Sequence, residues 1–350
     1  MIVTFAVVQK RILITGASGF VGSHLVEAAL ERGFETWAAV RRHSSRRYLT
    51  DPRLHFIELD LSSPLAVRSA LADFKIRTGL FDYVVHAAGV TKARRREEFF
   101  EGNTEATRNL ADALVEIGML PRKFVLLSSL SIMGAIRQEP AEQTDGSCYA
   151  PILASDVPRP NTAYGESKLQ AENYLRGLEG FPLVVLRPTG VYGPRDKDYL
   201  LMARSVARGI DFGVGLRRQE ITFIYVKDLV EAVFLACERA EAGRVYLLSD
   251  GQTYSSQAFS LLLQRYMGVR RVLHPTAPLA LLRVVCACGD VAARVGRLSA
   301  LNSDKYHILS QRNWRCDITP ARQELGYEPR YSLERGVAET VAWYRREGWI

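Results

Sequence analysis

Short runs of aliphatic and β-branched residues alternate along the chain with longer segments in which apolar positions recur every three or four residues. ILIT is followed by FVGSHLVEAALERG, then by ETWAAV, LHFIEL, YVVHAA, NTEATRNLADALVEIG and KFVLLSS, and LVVLRP resumes the alternation after Pro182. The short runs read as strands buried on both faces, the first over Lys10 to Thr15. The intervening helical patterns are long enough for crossovers, so the pattern predicts βαβ units and a parallel sheet. The predicted fold class is α/β, a Rossmann-type doubly wound parallel sheet. Residues 1–182 are assigned to the sheet domain and 183–350 to a smaller mixed α/β region interleaved with the end of the sheet.

Composition narrows the class. An apolar fraction of 47% with 24% charged residues over 350 positions describes a soluble globular chain with room for a sizeable core. MIVTFAVVQ is apolar, but it lacks a basic n-region and runs straight into RILITG, so it reads as an extension rather than a signal peptide. The net charge of +8 suits an acidic cofactor or an anionic membrane surface. No basic stripe is interleaved with aromatics, which excludes nucleic acid as a partner. Cys148, Cys237, Cys286, Cys288 and Cys316 form an odd set without CxxC pairs, which fits a reducing, cytoplasmic setting. No cluster has metal-ligand spacing, so no metal is expected. Between Pro278 and Leu301 a long apolar segment carries Arg283, Arg294 and Arg297 near one helical face. It reads either as a helix covering a core or as a basic, apolar helix lying on the inner membrane surface.

Two stretches carry chemistry. TGASGFVG follows the first strand and opens a helix, and its Gly16, Gly19 and Gly22 permit a tight turn and close approach of a pyrophosphate to a helix N-terminus. Ser18, Phe20 and Val21 belong to the same cradle. The second strand ends in VRR, where a free ribose 2′-hydroxyl calls for an acid; Arg41 and Arg42 instead suit a 2′-phosphate. The cofactor reading is therefore NADP(H), with NAD(H) as the alternative, while Arg46 and Arg47 read as solvated. In NTAYGESKLQAEN, Tyr164 and Lys168 stand one helical turn apart, so that an ammonium below a phenol would favour its ionised form.

TGASGFVG, DLS at Asp60, HAAG at 86–89, Asn103, SSLSIMG, YGESK and RPTGVYGP occur in the order found in the extended short-chain dehydrogenase/reductases. Over nearly its whole length the chain resembles that class, in the NAD-dependent epimerase/dehydratase superfamily. Its C-terminal part looks like the hydroxysteroid dehydrogenase and dihydroflavonol reductase branch. The resemblance implies that Asp60 and Leu61 face the adenine, that Ala87, Ala88, Gly89 and Asn103 support the cofactor, and that Pro188 and Thr189 stand beside the nicotinamide. It also implies Ser129, five residues before Gly134, as the catalytic hydroxyl, Tyr164 as acid or base and Lys168 as ribose ligand. Ser131, Met133, Gly190 and Tyr192 are expected on the substrate side. Arg195, Lys197 and Tyr199 are further candidates for its mouth, whereas His86 and Asp228 read as structural.

Substrate class follows from departures. Sugar-nucleotide members commonly carry Asn where Gly190 stands, and dehydratases carry Asp-Glu where Leu130 and Ser131 stand. The expected activity is ketone–alcohol interconversion on a hydrophobic small molecule, of the 3-ketosphinganine or steroid type. A nucleotide-sugar epimerase holding NAD and a non-catalytic dinucleotide-binding protein are the alternatives, and a homodimer is the family expectation.

Overall fold

A computed structural model describes residues 9–294 and 303–350 apart from 142, 144 and 216, with only the backbone described for 290–294. Arg297 and the side chain of Arg294 lie outside the described residues. The strands are β1 Arg11–Thr15, β2 Glu35–Val40, β3 His55–Glu58, β4 Tyr83–His86, β5 Lys123–Leu127, β6 Leu183–Pro188, β7 Gly190–Tyr192, β8 Gly213–Val214, β9 Phe223–Tyr225, β10 Val245–Leu248 and β11 Thr276–Ala277. The helices are α1 Phe20–Glu31, α2 Pro64–Thr78, α3 Arg96–Phe99, α4 Ala106–Glu116, α5 Ala163–Arg176, α6 Asp198–Ala207, α7 Val226–Arg239, α8 Ala258–Met267, α9 Leu279–Arg294, α10 Ser303–Ser310 and α11 Leu333–Arg346.

Seven strands form one sheet in the order β3-β2-β1-β4-β5-β6-β10, every pair parallel. This is the predicted Rossmann-type sheet, with β10 added beyond the sixth strand. The strand order reverses between β1 and β4, the place where such sheets bind ligands at their carboxyl ends. Alternate residues divide two cores. Ile12, Ile14, Val85, Val125 and Leu186 pack with α1 and α7, while Leu13, Val84, Phe124, Leu126 and Val185 pack with α2 and α4. Each such side chain removed from water contributes about 1.5–3 kcal/mol. A third core joins Tyr192, Leu200, Phe223, Tyr225, Phe259 and Val337 from β7, α6, β9, α8 and α11.

Two helical features escape the apolar pattern. α2 buries only Val67, Leu71 and Phe74 of its fifteen residues, so its amphipathic signal is faint; Ser63 caps it, accepting from Ala66 N at 3.3 Å, and Pro64 opens it. The helix expected from Asn103 begins earlier, at Arg96, and passes through a π-helical turn at Phe100–Glu105 before continuing as α4. Such wide turns are frequent at functional sites, and this one contains Asn103.

The first turn after β1 depends on missing side chains. Gly16 has φ +67°, and a Cβ there would lie 2.7 Å from the Ala87 carbonyl. A Cβ on Gly22 would stand 2.0 Å from Gly16 O, so helix and turn could not remain in contact. Gly22→Ala is expected to cost about 1–3 kcal/mol, as overpacking does. Thermal denaturation should show a fall in Tm of several degrees, whereas Gly19→Ala, whose Cβ meets only Gly16 O at 3.1 Å, should melt near wild type.

Candidate active site

At the end of β5 the ladder closes with Ser128 N donating to Leu186 O at 2.8 Å, and the chain turns into a 3-10 helix at Leu130–Met133. Ser129 caps that turn: its Oγ accepts from Ser131 N at 3.1 Å and lies 3.1 Å from Ser131 Oγ. Facing it is the first turn of α5, capped by Thr162, which accepts from Gly165 N at 3.0 Å. Tyr164 shares a hydrogen bond with Ser129 and is packed edge-on by Phe99 at 6.2 Å between ring centroids. One turn on, Lys168 is buried and donates to Leu127 O at 2.7 Å. Ser129, Tyr164 and Lys168 therefore meet at the carboxyl edge of the sheet.

The electrostatics differ from the simple expectation. Burial holds the Tyr164 phenol above its ordinary value; the Ser129 hydrogen bond works against that rise, and the charge of Asp198 adds to it. The Lys168 ammonium keeps most of its charge at neutral pH but is held less firmly protonated than an exposed lysine. It is turned to a backbone carbonyl, and burial brings it down to about 8 despite Glu172 nearby. At neutral pH Tyr164 is accordingly a protonated donor rather than a phenolate.

Glu172 continues the same face of α5, and sequence reading missed it. Its carboxylate is buried and accepts from Arg187 Nε at 3.1 Å and from Nη2 at 2.6 Å, while Arg187 Nη1 lies 3.6 Å from Met133 Sδ. The four-residue spacing Tyr164, Lys168, Glu172 was the available signal; its partner on β6 was not.

A second buried network sits under the cofactor turn. Ala88 N donates to Thr15 Oγ1 at 3.2 Å, Thr15 Oγ1 lies 2.8 Å from His86 Nδ1, His86 Nε2 lies 2.9 Å from Thr107 Oγ1, and Thr107 donates to Asn103 O at 2.6 Å. With the Thr107 proton on that carbonyl, the assigned tautomer carries its hydrogen on Nε2. Burial lowers the imidazole pKa to about 3, so His86 is neutral. Asn103 itself accepts from Val90 N at 2.8 Å and donates to Val90 O and Ser167 Oγ at 3.0 and 2.9 Å. A Cβ on Gly89 would meet Asn103 Oδ1 at 2.9 Å and Lys168 Nζ at 3.4 Å, which places HAAG against α5.

The residues present fit a dinucleotide. Gly16 and Gly22 close the turn under α1, while Ser18, Gly19, Phe20 and Val21 line its open side with their surfaces partly exposed. Arg41 and Arg42 are exposed, and their guanidinium groups form no hydrogen bond or ion pair among the described residues; the Asp60 carboxyl is held below its ordinary value chiefly by hydrogen bonds from Ser62, with the charge of Arg41 a smaller contribution. Arg46 instead stacks on Phe56, and Arg47 pairs with Glu347. Asp60 accepts from Ser62, and Leu61 O accepts from Asn109. Pro188 ends β6, and Thr189 donates to Thr222 O at 2.9 Å.

The substrate-side candidates divide. Ser131 and Gly190 are partly exposed. Met133 is fully buried beneath Arg187, and Tyr192 is buried among Tyr225, Phe259 and Phe223 with its hydroxyl toward Leu333 O. Both are buried side chains, unlike Ser131 and Gly190: a motif position fixes the backbone but not the direction of the side chain. Arg195 donates to Ser23 and Glu27 of α1, whereas Lys197 is exposed. Asp228 accepts from Arg330 N and Tyr331 N, a tie between lobes. Tyr199 fills the space over Gly190, where a Cβ would fall 2.4 Å from its hydroxyl oxygen. No group of metal-binding side chains occurs among the described residues.

Residues 12–249 match the model of the NAD dependent epimerase/dehydratase family. The chain belongs to that family. It is thus an NAD(P)-dependent enzyme of the extended short-chain dehydrogenase/reductase class, and the family match spans most of the sheet and the full trio. It is similar to a ceramide reductase of Caulobacter vibrioides, 26% identical over 97% of this chain and 96% of that one. A 3-beta-hydroxysteroid dehydrogenase of Mycolicibacterium neoaurum is 27% identical over 95% and 91%. Among solved structures, a UDP-glucose 4-epimerase of Thermotoga maritima with UDP-glucose superimposes with a TM-score of 0.74 at 23% identity, covering 96% of this chain and 99% of that one, a likeness of fold.

Tyr164→Phe removes the proton donor and should lower kcat by about 100-fold or more, with folding intact by circular dichroism. Lys168 offers a test of its burial. Because folding depresses its pKa from 10.5 to about 8, the folded chain binds fewer protons than the unfolded one between those values, and this group's contribution to stability rises with pH across that window. The difference in Tm between wild type and Lys168→Met should change with pH from about 8 upward and stay level below it.

Proposed function

We propose that the protein is an NADP(H)-dependent oxidoreductase that interconverts a ketone and a secondary alcohol on a hydrophobic, lipid-like molecule, of the long-chain 3-keto base or steroid type. The observation that carries this reading is Tyr199 over Gly190: the space in which a sugar-nucleotide enzyme would present an asparagine to a diphosphate is filled by a phenol in an aromatic core with Phe223 and Phe259. The similarity to a ceramide reductase and a steroid dehydrogenase supports the same substrate class. For the cofactor, the unpaired Arg41 and Arg42 at the end of β2 favour a 2′-phosphate.

Bound in the Gly16–Gly22 cradle, the dinucleotide supplies hydride chemistry. The chain's own groups supply the rest. Ser129 hydrogen-bonds the substrate oxygen, and Tyr164 donates its proton to that oxygen during reduction or accepts it during oxidation. Lys168 and Asn103, held next to Gly89, orient the ribose end. Glu172 and Arg187 hold α5 so that these groups stay in register with the sheet. The reading extends to a cytoplasmic protein whose five cysteines stand outside any disulfide, and to a homodimer carried over from the family.

The test is consumption of NADPH and NADH by the purified enzyme against lipid ketones, steroids, flavonols and sugar nucleotides. Turnover of a lipid ketone with NADPH is expected; turnover of a sugar nucleotide without net cofactor change would establish the epimerase instead. Removal of two charge-assisted contacts in Arg41→Ala/Arg42→Ala should raise KM for NADPH by about 10-fold or more while leaving KM for NADH near wild type.

A further inference from the structure

Helix α9 is apolar on two faces. Leu282 and Cys286 are buried inward, while Leu281, Val284, Val285 and Cys288, at helical spacings of three and four, point outward. Leu281 and Val284 are 55% and 61% exposed, and in the segments leading into β8 and β11 Phe212 and Leu273 reach 69% and 73%. These surfaces adjoin: β8 pairs with β11, Ile210 pairs with Leu273, and a Cβ on Gly215 would lie 3.6 Å from Leu279. Single exposed aliphatics are ordinary, but a continuous set of this kind marks an interaction surface.

The charges around it select the partner. From Gly268 to Gly289 the chain carries Arg270, Arg271 and Arg283 and no acidic residue, the next being Asp290 of α9, whose side chain lies outside the described residues, and Arg217 follows β8. None of these four guanidinium groups forms an ion pair among the described residues. No helix among the described residues is long and apolar enough to cross a membrane. Exposed aliphatic side chains accompanied by unpaired cations on the helix and the neighbouring segments match a bilayer interface with anionic headgroups. We infer that α9 and the β8/β11 edge dock on an anionic lipid surface. The same helix pair reaches the catalytic helix: α10 packs on α9, and Asp304 of α10 accepts from Ala163 N at 3.1 and 3.2 Å, one residue before Tyr164. Docking there brings a bilayer-dissolved substrate to the mouth of the site, a consequence that rests on the hydrophobic-ketone reading above.

Flotation of the full chain with vesicles of phosphatidylcholine alone, or of phosphatidylcholine mixed with phosphatidylglycerol, tests the surface without any substrate. Binding is expected only to the mixed vesicles and should weaken with salt. Leu281→Asp/Val284→Asp should abolish it, and each of Arg270→Glu, Arg271→Glu and Arg283→Glu should weaken it roughly fivefold or more. Turnover of a detergent-dispersed ketone should be unchanged in these variants, with turnover of the vesicle-borne ketone lost. Absence of binding to mixed vesicles at low salt, or binding that survives the aspartate pair, would overturn the inference. So would a concentration-dependent dimer that the aspartate pair dissociates without any vesicle binding. Failure of turnover with vesicle binding intact would count against the substrate reading alone.

Discussion

One buried ion pair decides where the chemistry can happen. Glu172 and Arg187 meet with two hydrogen bonds, out of water, on facing elements of the sheet and its catalytic helix. Placing both charges there is costly, and breaking such a pair by removing one partner typically costs about 3–5 kcal/mol because the other is left uncompensated. The pair therefore allows α5 a single rotation and a single height against β6. Lys168 and Tyr164 lie one and two turns back on the same face, so the position of the phenol beside Ser129 is inherited from this contact. Met133 contributes its sulfur to that seat, which explains a buried thioether in a strand-end turn otherwise rich in hydroxyls.

The cofactor side is organised by a neutral network rather than by charge. From Ala88 through Thr15, His86 and Thr107 to Asn103, each donor meets one acceptor, and burial keeps the imidazole uncharged over the whole physiological range. Such a chain ties the glycine turn, the end of β4 and the π-helical turn into one rigid unit. The site thus combines a rigid floor with a phenol and an amine on α5 that burial biases toward their uncharged forms. A carbonyl arriving there finds a proton donor already in its donating state.

How far the sequence foretells this depends on whether a contact is local. The glycine turn, Ser129 at a strand end and the Tyr164–Lys168 spacing are legible because a few consecutive residues determine their geometry. Glu172 was within reach of the same four-residue period, but a glutamate late in a polar helix looks solvated until Arg187 is brought opposite it by the sheet. His86 reads as packing because its two threonine partners lie 71 and 21 residues away. The burial of Met133 and Tyr192 is not legible for the converse reason, since matched motif positions carry no information on which way a side chain turns. In α9 both faces are apolar, so periodicity marks a helix without saying which face is covered.

The phenol of Tyr199 over Gly190 has an evolutionary consequence. Any side chain introduced at Gly190 collides with that hydroxyl, while shortening Tyr199 alone opens a hole in the aromatic core it shares with Phe223 and Phe259. Each single step toward a polar, diphosphate-reading pocket is disfavoured on its own, and only the two together restore packing. Positions 190 and 199 are consequently coupled, and what either can carry depends on the other.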